Sequence, residues 1–400
     1  MAKERPCQIK IIRHAPERPI VAFFRFIDAA GECVITFPFR LQGPVTNFNE
    51  VMMDPSLTAQ IDCGDPEARI SVRVMPCGRR YYWGRKLRCF LDNFCRKPQP
   101  ALPVRDPARI VPFAAQGVAT SSARPLVSIV IPTRDRADLL ACAVETLFER
   151  ASWPNKELVI VDNGSVERET FALFDRLRGR PDVTILRCDE AFNFSRLVNE
   201  GVRASRGEVI ALLNNDVETS DPDWLSPLVA LTVDPRVGVV GVKLLHEDRT
   251  VQHAGIALGI RGLVAHAGAG RAADDPGPYA MLATTRRVSA VTGACLLTRR
   301  GIFDSLGLFD EKFVVEFNDV DYCLRAGAAG YAVVWAANPM LLHKEGSTRQ
   351  ARPLRKQEVL DRALFMKCWG QSLVDDPFYP PELTLHDESL TLATAPRNGW

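Results

Sequence analysis

Three apolar runs between residues 127 and 216 each stop abruptly at polar residues, and this pattern constrains the fold more than any other. Val127-Ser128-Ile129-Val130-Ile131-Pro132 ends at Thr133, Leu158-Val159-Ile160-Val161 at Asp162-Asn163, and Val209-Ile210-Ala211-Leu212-Leu213 at Asn214-Asn215-Asp216. Short continuous apolar runs suit strands buried on both faces, as in parallel sheets. Helical patterns lie between them. Residues 137–149 are amphipathic, with Leu140, Val144, Leu147 and Phe148 on one face, and residues 169–177 and 194–204 also read as helices. A further strand is expected at 183–186. Strand and helix alternate at about 25 to 30 residues per unit, which predicts a mostly parallel sheet with crossover helices. Ligands of such sheets bind just beyond the carboxyl ends of the strands. Asn-Asn-Asp alone also fits a turn. Three polar strand ends in successive units favour a nucleotide-sized crevice.

No Gly-x-Gly-x-x-Gly follows the first strand, and no Gly-x4-Gly-Lys-Ser/Thr occurs anywhere. Without a glycine-rich cradle, phosphates need another counter-charge, and a divalent cation held by Asp216 would serve. Beyond Asp216 come Trp224 on a helix, a strand over 237–245 and a glycine-rich loop over 255–277, with His253 and His266 nearby. Isolated histidines of this kind read as structural or solvent-facing. Residues 288–297 read as a strand interrupted by Gly293-Ala294, where backbone can approach a ligand closely. In Phe317-Asn318-Asp319-Val320-Asp321, Asp319 falls in the first turn of a helix, favoured there by the helix dipole, and Asp321 faces elsewhere. Both also read as plain N-terminal helix acids. A strand over 331–335 follows, a segment over 341–345 carries His343, and 356–369 reads as a C-terminal helix with a proline-bearing tail.

The first 125 residues have another character. Runs at 20–26 and 33–37 flank turn residues 28–32, as in a hairpin, and residues 68–74 alternate with period two. Residues 1–75 therefore read as a β-rich accessory domain. Residues 79–97 carry seven Arg or Lys, one acid and five aromatics. Such a stretch suits either an anionic membrane surface or a helix with a solvated basic face. Residues 98–125 are proline-rich and suit a linker. The expected division is 1–75, 76–125, a catalytic α/β domain over 126–350, and a C-terminal helix and tail over 351–400 that pack on it. A net charge of +2 gives no reason to expect a nucleic-acid partner. The 11 cysteines form no Cys-x-x-Cys and suit reduced thiols. Residues 1–10 lack the apolar core of a signal peptide, and no apolar run approaches the ~20 residues that span a bilayer. A cytoplasmic location is expected, with residues 79–97 as the point of any peripheral contact with the inner face of the membrane.

Six segments in order resemble the family 2 glycosyltransferases: Ser128-Ile129-Val130-Ile131-Pro132-Thr133, Val161-Asp162-Asn163-Gly164-Ser165, Leu213-Asn214-Asn215-Asp216, Thr292-Gly293-Ala294, Asn318-Asp319-Val320-Asp321 and His343. The resemblance spans about residues 126–390. Phe192-Asn193-Phe194-Ser195, Val251-Gln252-His253-Ala254-Gly255 and Asp376-Pro377-Phe378-Tyr379 are similar to the subgroup that builds O-antigen and rhamnose-rich polysaccharides. The resemblance implies a GT-A fold and an inverting hexosyltransferase dependent on Mg²⁺ or Mn²⁺. It would move a sugar from a nucleotide-sugar donor to a saccharide or lipid-linked acceptor. Thr133, Asp162 and Asn163 would border base and ribose, and Asn214-Asn215-Asp216 would stand at the family's Asp-x-Asp. Asp216 and His343 would hold the metal. Asp319 would be the catalytic base, with Gly293 and Asn318 on the acceptor side. Here the metal motif has one carboxylate, and Asn318 replaces the acid that usually precedes the base. The alternative is a non-catalytic nucleotide-sugar- or saccharide-binding module on the same fold.

Overall fold

The computed structural model describes six strands within residues 5–76, together with residues 111–114, 124–344, 356–373 and 376–393. The basic aromatic stretch at 79–97 lies outside the described residues, as does most of the proline-rich segment after it. The chain divides into two compact units. The N-terminal unit holds β1 (Arg5–Ala15), β2 (Ile20–Ile27), β3 (Cys33–Leu41), β4 (Val45–Met53), β5 (Thr58–Asp62) and β6 (Arg69–Pro76). They form two antiparallel three-stranded sheets, in the orders β4-β1-β6 and β3-β2-β5. The hairpin read from residues 20–37 is the β2–β3 pair.

The second unit is mixed α/β. Its sheet begins with β7 (Val127–Thr133), β8 (Lys156–Asp162), β9 (Val183–Arg187) and β10 (Val209–Leu213). These four are parallel neighbours in the order β10-β7-β8-β9. The sheet continues through β17 (Cys295–Arg299), β12 (Val237–Leu245), β18 (Ala332–His343) and the two-residue β11 (Val217–Glu218). β17 runs antiparallel to both its neighbours, whereas β12 and β18 are parallel. Side chains of β7 alternate between faces: Val127, Ile129 and Ile131 join one core with Leu140, Leu147 and Phe148. On the opposite face α3 (Phe194–Ala204) lies directly on the sheet. A Cβ at Gly201 would fall 2.4 Å from Val130 and 2.8 Å from Val161, so glycine permits this approach.

Three segments differ from the sequence reading. Residues 137–149 are α1 (Ala137–Ala143) followed by a π-helical stretch over Val144–Glu149. Apolar periodicity does not distinguish these helix types. The expected loop at 255–277 contains a short antiparallel pair, β14 (Ile256–Leu258) and β15 (Val264–His266). The strand expected from 288 begins only at Cys295. Val288–Thr292 instead make irregular contacts, and Gly293 is engaged by an acidic side chain.

Candidate active site

The polar ends of the parallel strands are tied to one another. Asn215 Nδ2 donates to Thr133 Oγ1 at 2.9 Å, joining the ends of β10 and β7. Asn163 N donates to Thr133 O at 2.8 Å. Asp162, next along the sheet edge, is buried and fully engaged. Its Oδ1 accepts from Ser165 N at 2.9 Å, and its Oδ2 accepts from Arg187 Nη1 at 2.6 Å. Asn163 Nδ2 donates to the carbonyls of Cys188 and Glu190. Thr133, Asp162 and Asn163 thus shape one continuous rim, with Asp162 orienting the turn through Ser165 rather than presenting a free carboxylate.

A second group forms where β11 meets β18. Val217 pairs with His343 in antiparallel register, and Lys344 N donates to Asp216 O at 2.9 Å. This pairing sets His343 Nε2 3.1 Å from Asp216 Oδ1. That oxygen is buried and accepts no hydrogen bond among the described residues. The histidine tautomer explains why. Gln252 lies on β13 (Val251–His253). Its Nε2 donates to His343 O and to His246 Nδ1, both at 3.3 Å, so its Oε1 faces His343 Nδ1 at 2.5 Å. An amide oxygen can only accept, so this network places a proton on Nδ1, and in the neutral ring Nε2 then carries the lone pair. Asn214 Nδ2, 3.2 Å from Nε2, is a donor that agrees with the assignment. In the neutral ring a carboxylate oxygen and an imidazole lone pair then face each other, 3.1 Å apart.

That arrangement fits a divalent cation, for which oxygen and neutral imidazole are suitable ligands. Among the described residues no third His, Cys, Asp or Glu joins the pair. Among the described residues, a cation at this place would thus have two ligands of these types.

The remaining acid stands at the start of α6 (Asn318–Ala328). Asp319 Oδ2 accepts from Gly293 N at 2.7 Å, and its Oδ1 accepts from Val320 N at 2.8 Å. Desolvation pushes its pKa above the ordinary carboxylate value, against the opposing pull of these two N–H groups. The Gly293 segment also meets the metal-side group, because Asn214 N donates to Ala294 O at 3.1 Å. Asn318 Oδ1 accepts from Asp319 N, while its buried Nδ2 has no partner among the described residues. Asp321 points away and is structural: its oxygens accept from Trp369 Nε1 and Arg325 Nε, both at 2.8 Å.

Two contributions escaped the sequence reading. Gln252 stood in a flagged segment, but nothing local reveals that its amide meets His343. The other is α7 (Lys356–Trp369), which braces the turn before Asp319. Asp361 Oδ2 accepts from Val315 N and Glu316 N at 2.7 and 2.9 Å, and Phe365 stacks on Phe317 at 4.6 Å. The histidines near the 255–277 segment are not solvent-facing. His253 is fully buried against His266, and desolvation holds its pKa well below the usual histidine value.

Residues 128–307 match the family described as "Glycosyl transferase family 2". The protein y4gI of Sinorhizobium fredii is 39% identical over 289 residues, covering 71% of this chain and 32% of its own. The O-antigen biosynthesis protein RfbC of Myxococcus xanthus is 38% identical over 278 residues, covering 69% of this chain and 22% of its own. The chain therefore spans a third or less of the length of these two relatives. Among solved structures, a mannosyltransferase of Pyrobaculum calidifontis in complex with GDP-Man and Mn²⁺ aligns with a TM-score of 0.44 at 18% identity, covering 67% of each chain. Likeness at that level bears on neither substrate nor metal.

Proposed function

From the premise that this chain carries a family 2 glycosyl transferase domain, we propose that it is a metal-dependent inverting glycosyltransferase of cell-surface polysaccharide assembly. The donor would be a nucleotide-diphosphate-sugar and the acceptor a saccharide or lipid-linked saccharide. One observation carries the metal side of this reading: Asp216 Oδ1, buried and without a hydrogen-bond partner among the described residues, lies 3.1 Å from His343 Nε2. A bound divalent cation would offset the negative charge that grows on the departing diphosphate.

The chain's own residues account for the rest. Thr133, Asp162 and Asn163 line the rim that would receive base and ribose, and Asn214 and Asn215 would border the diphosphate. Asp319, held by the N–H groups of Gly293 and Val320, takes the proton from the acceptor hydroxyl as that oxygen attacks the anomeric carbon. Gly293 leaves space at the carboxylate, and Asn318 Nδ2 is a buried donor without a partner, suited to an acceptor oxygen. One base and one stabilised leaving group complete a single displacement, which inverts the anomeric centre.

Residues 79–97 would supply a peripheral contact with an anionic membrane, where a lipid-linked acceptor resides. The reading is tested by incubating the purified chain with a panel of nucleotide sugars and oligosaccharide acceptors, with products identified by mass spectrometry. Transfer should require Mg²⁺ or Mn²⁺, stop in excess EDTA, and drop by roughly 10²–10⁴-fold in Asp319→Asn. Undiminished transfer in EDTA would end the metal claim, and an active, folded Asp319→Asn would end the assignment of the base.

A further inference from the structure

Gln252 makes four hydrogen-bond contacts, and each bears on a histidine. Its Oε1 lies 2.5 Å from His343 Nδ1. Its Nε2 is 3.3 Å from both His343 O and His246 Nδ1. Its backbone carbonyl is 3.0 Å from His266 Nδ1. The side chain is 4% exposed, so water does not compete for these groups. A freely turning amide could present either end to His343. This one is held, because reversing it would leave its oxygen facing the His343 carbonyl.

We propose that Gln252 is a positioning residue that locks His343 in the Nδ1–H tautomer, so that the Nε2 lone pair points at Asp216 before any cation arrives. The proposal rests on the metal-site reading above. It explains how a motif with one carboxylate can present two ligands. An imidazole free to exchange tautomers would spend part of its time with Nε2–H against Asp216, forming an internal hydrogen bond where a cation should sit. Partners that fix a ligating histidine typically contribute tenfold to a hundredfold in metal affinity. β13 serves this role because it pairs with β12, and β12 lies beside β18, whose last residue is His343.

The test has one readout without metal and one with it. Long-range ¹H–¹⁵N correlation spectra of the metal-free protein at pH 8 separate the two imidazole tautomers. The chain has six histidines, and His343→Gln identifies the signal of interest. The expected result is Nδ1–H for His343 in the wild type. A tautomer mixture is expected in Gln252→Leu. Titration with Mn²⁺ alone, followed by electron paramagnetic resonance, should show about tenfold to hundredfold weaker binding in Gln252→Leu. Matching thermal unfolding curves would show that the variants are folded. An Nε2–H signal in the wild type, or unchanged Mn²⁺ binding in a folded Gln252→Leu, overturns the proposal. A wild type that shows Nδ1–H yet binds no Mn²⁺ instead defeats the metal-site reading and leaves the tautomer lock standing.

Discussion

Asp319 shows how one residue obtains a useful pKa without the acidic neighbour that the resemblance leads one to expect. A second carboxylate at position 318 would have raised it by like-charge repulsion. Asn318 cannot do that, and burial supplies the upward push instead. Transfer should therefore lose rate on acidification at a pH above the ~4 of an ordinary carboxylate, along a limb of unit slope in a plot of log kcat/KM against pH. A limb at the ordinary value would mean that burial does not govern this group. The stability effect has the opposite sign. A folded-state pKa above the unfolded one favours the protonated form, so the contribution is fully present below the unfolded pKa and is lost as pH rises through the folded one. Asp319→Asn should thus gain thermal stability relative to the wild type as pH rises above the unfolded carboxylate value, even as it loses activity. A melting-temperature difference that stays flat with pH would refute this.

At the scale of elements, the site depends on segments that carry none of its chemistry. α7 is an example. The fully buried Asp361 holds Val315 N and Glu316 N, and Trp369 holds Asp321. Asp361→Ala would leave two backbone donors without their charged acceptor. Each such bond contributes about 1.5–3 kcal/mol, so urea denaturation should show a loss of several kcal/mol. Activity should fall in conditions where the variant is still folded, because the turn before Asp319 is no longer held. A variant as stable as the wild type would assign the bracing elsewhere. The helix itself was legible over 356–369, a stretch free of glycine and proline and rich in helix-forming residues. Its task was not, since Asp361 looks like any exposed helix acid until the turn at 315–316 meets it. The paired strands in 255–277 escaped for a similar reason: three-residue strands are too short for periodicity to report.

At the scale of the whole molecule, the chain comprises a β-rich unit and an α/β unit, and it covers 32% and 22% of the length of two relatives. Among the described residues no helix is long and apolar enough to cross a membrane. The proposed membrane contact through residues 79–97 is electrostatic, at about 1 kcal/mol for each basic residue near an anionic surface. The full chain should therefore sediment with vesicles rich in phosphatidylglycerol but not with phosphatidylcholine alone. Binding should weaken as salt shortens the Debye length, and replacing Arg79, Arg80, Arg85 and Lys86 with serine should reduce it sharply. Equal binding to both vesicle types would remove the membrane from the account. The alternation of strand and helix and the polar strand ends at Thr133, Asp162 and Asp216 can be read along the chain, because periodicity and abrupt changes of polarity are local properties. Tertiary structure alone decided that His343 faces Asp216, that Gln252 orients the imidazole between them, and that Gly293 receives Asp319. Those meetings depend on the β11–β18 register and the β13–β12–β18 adjacency, which join residues remote in the chain and leave no periodic trace in it.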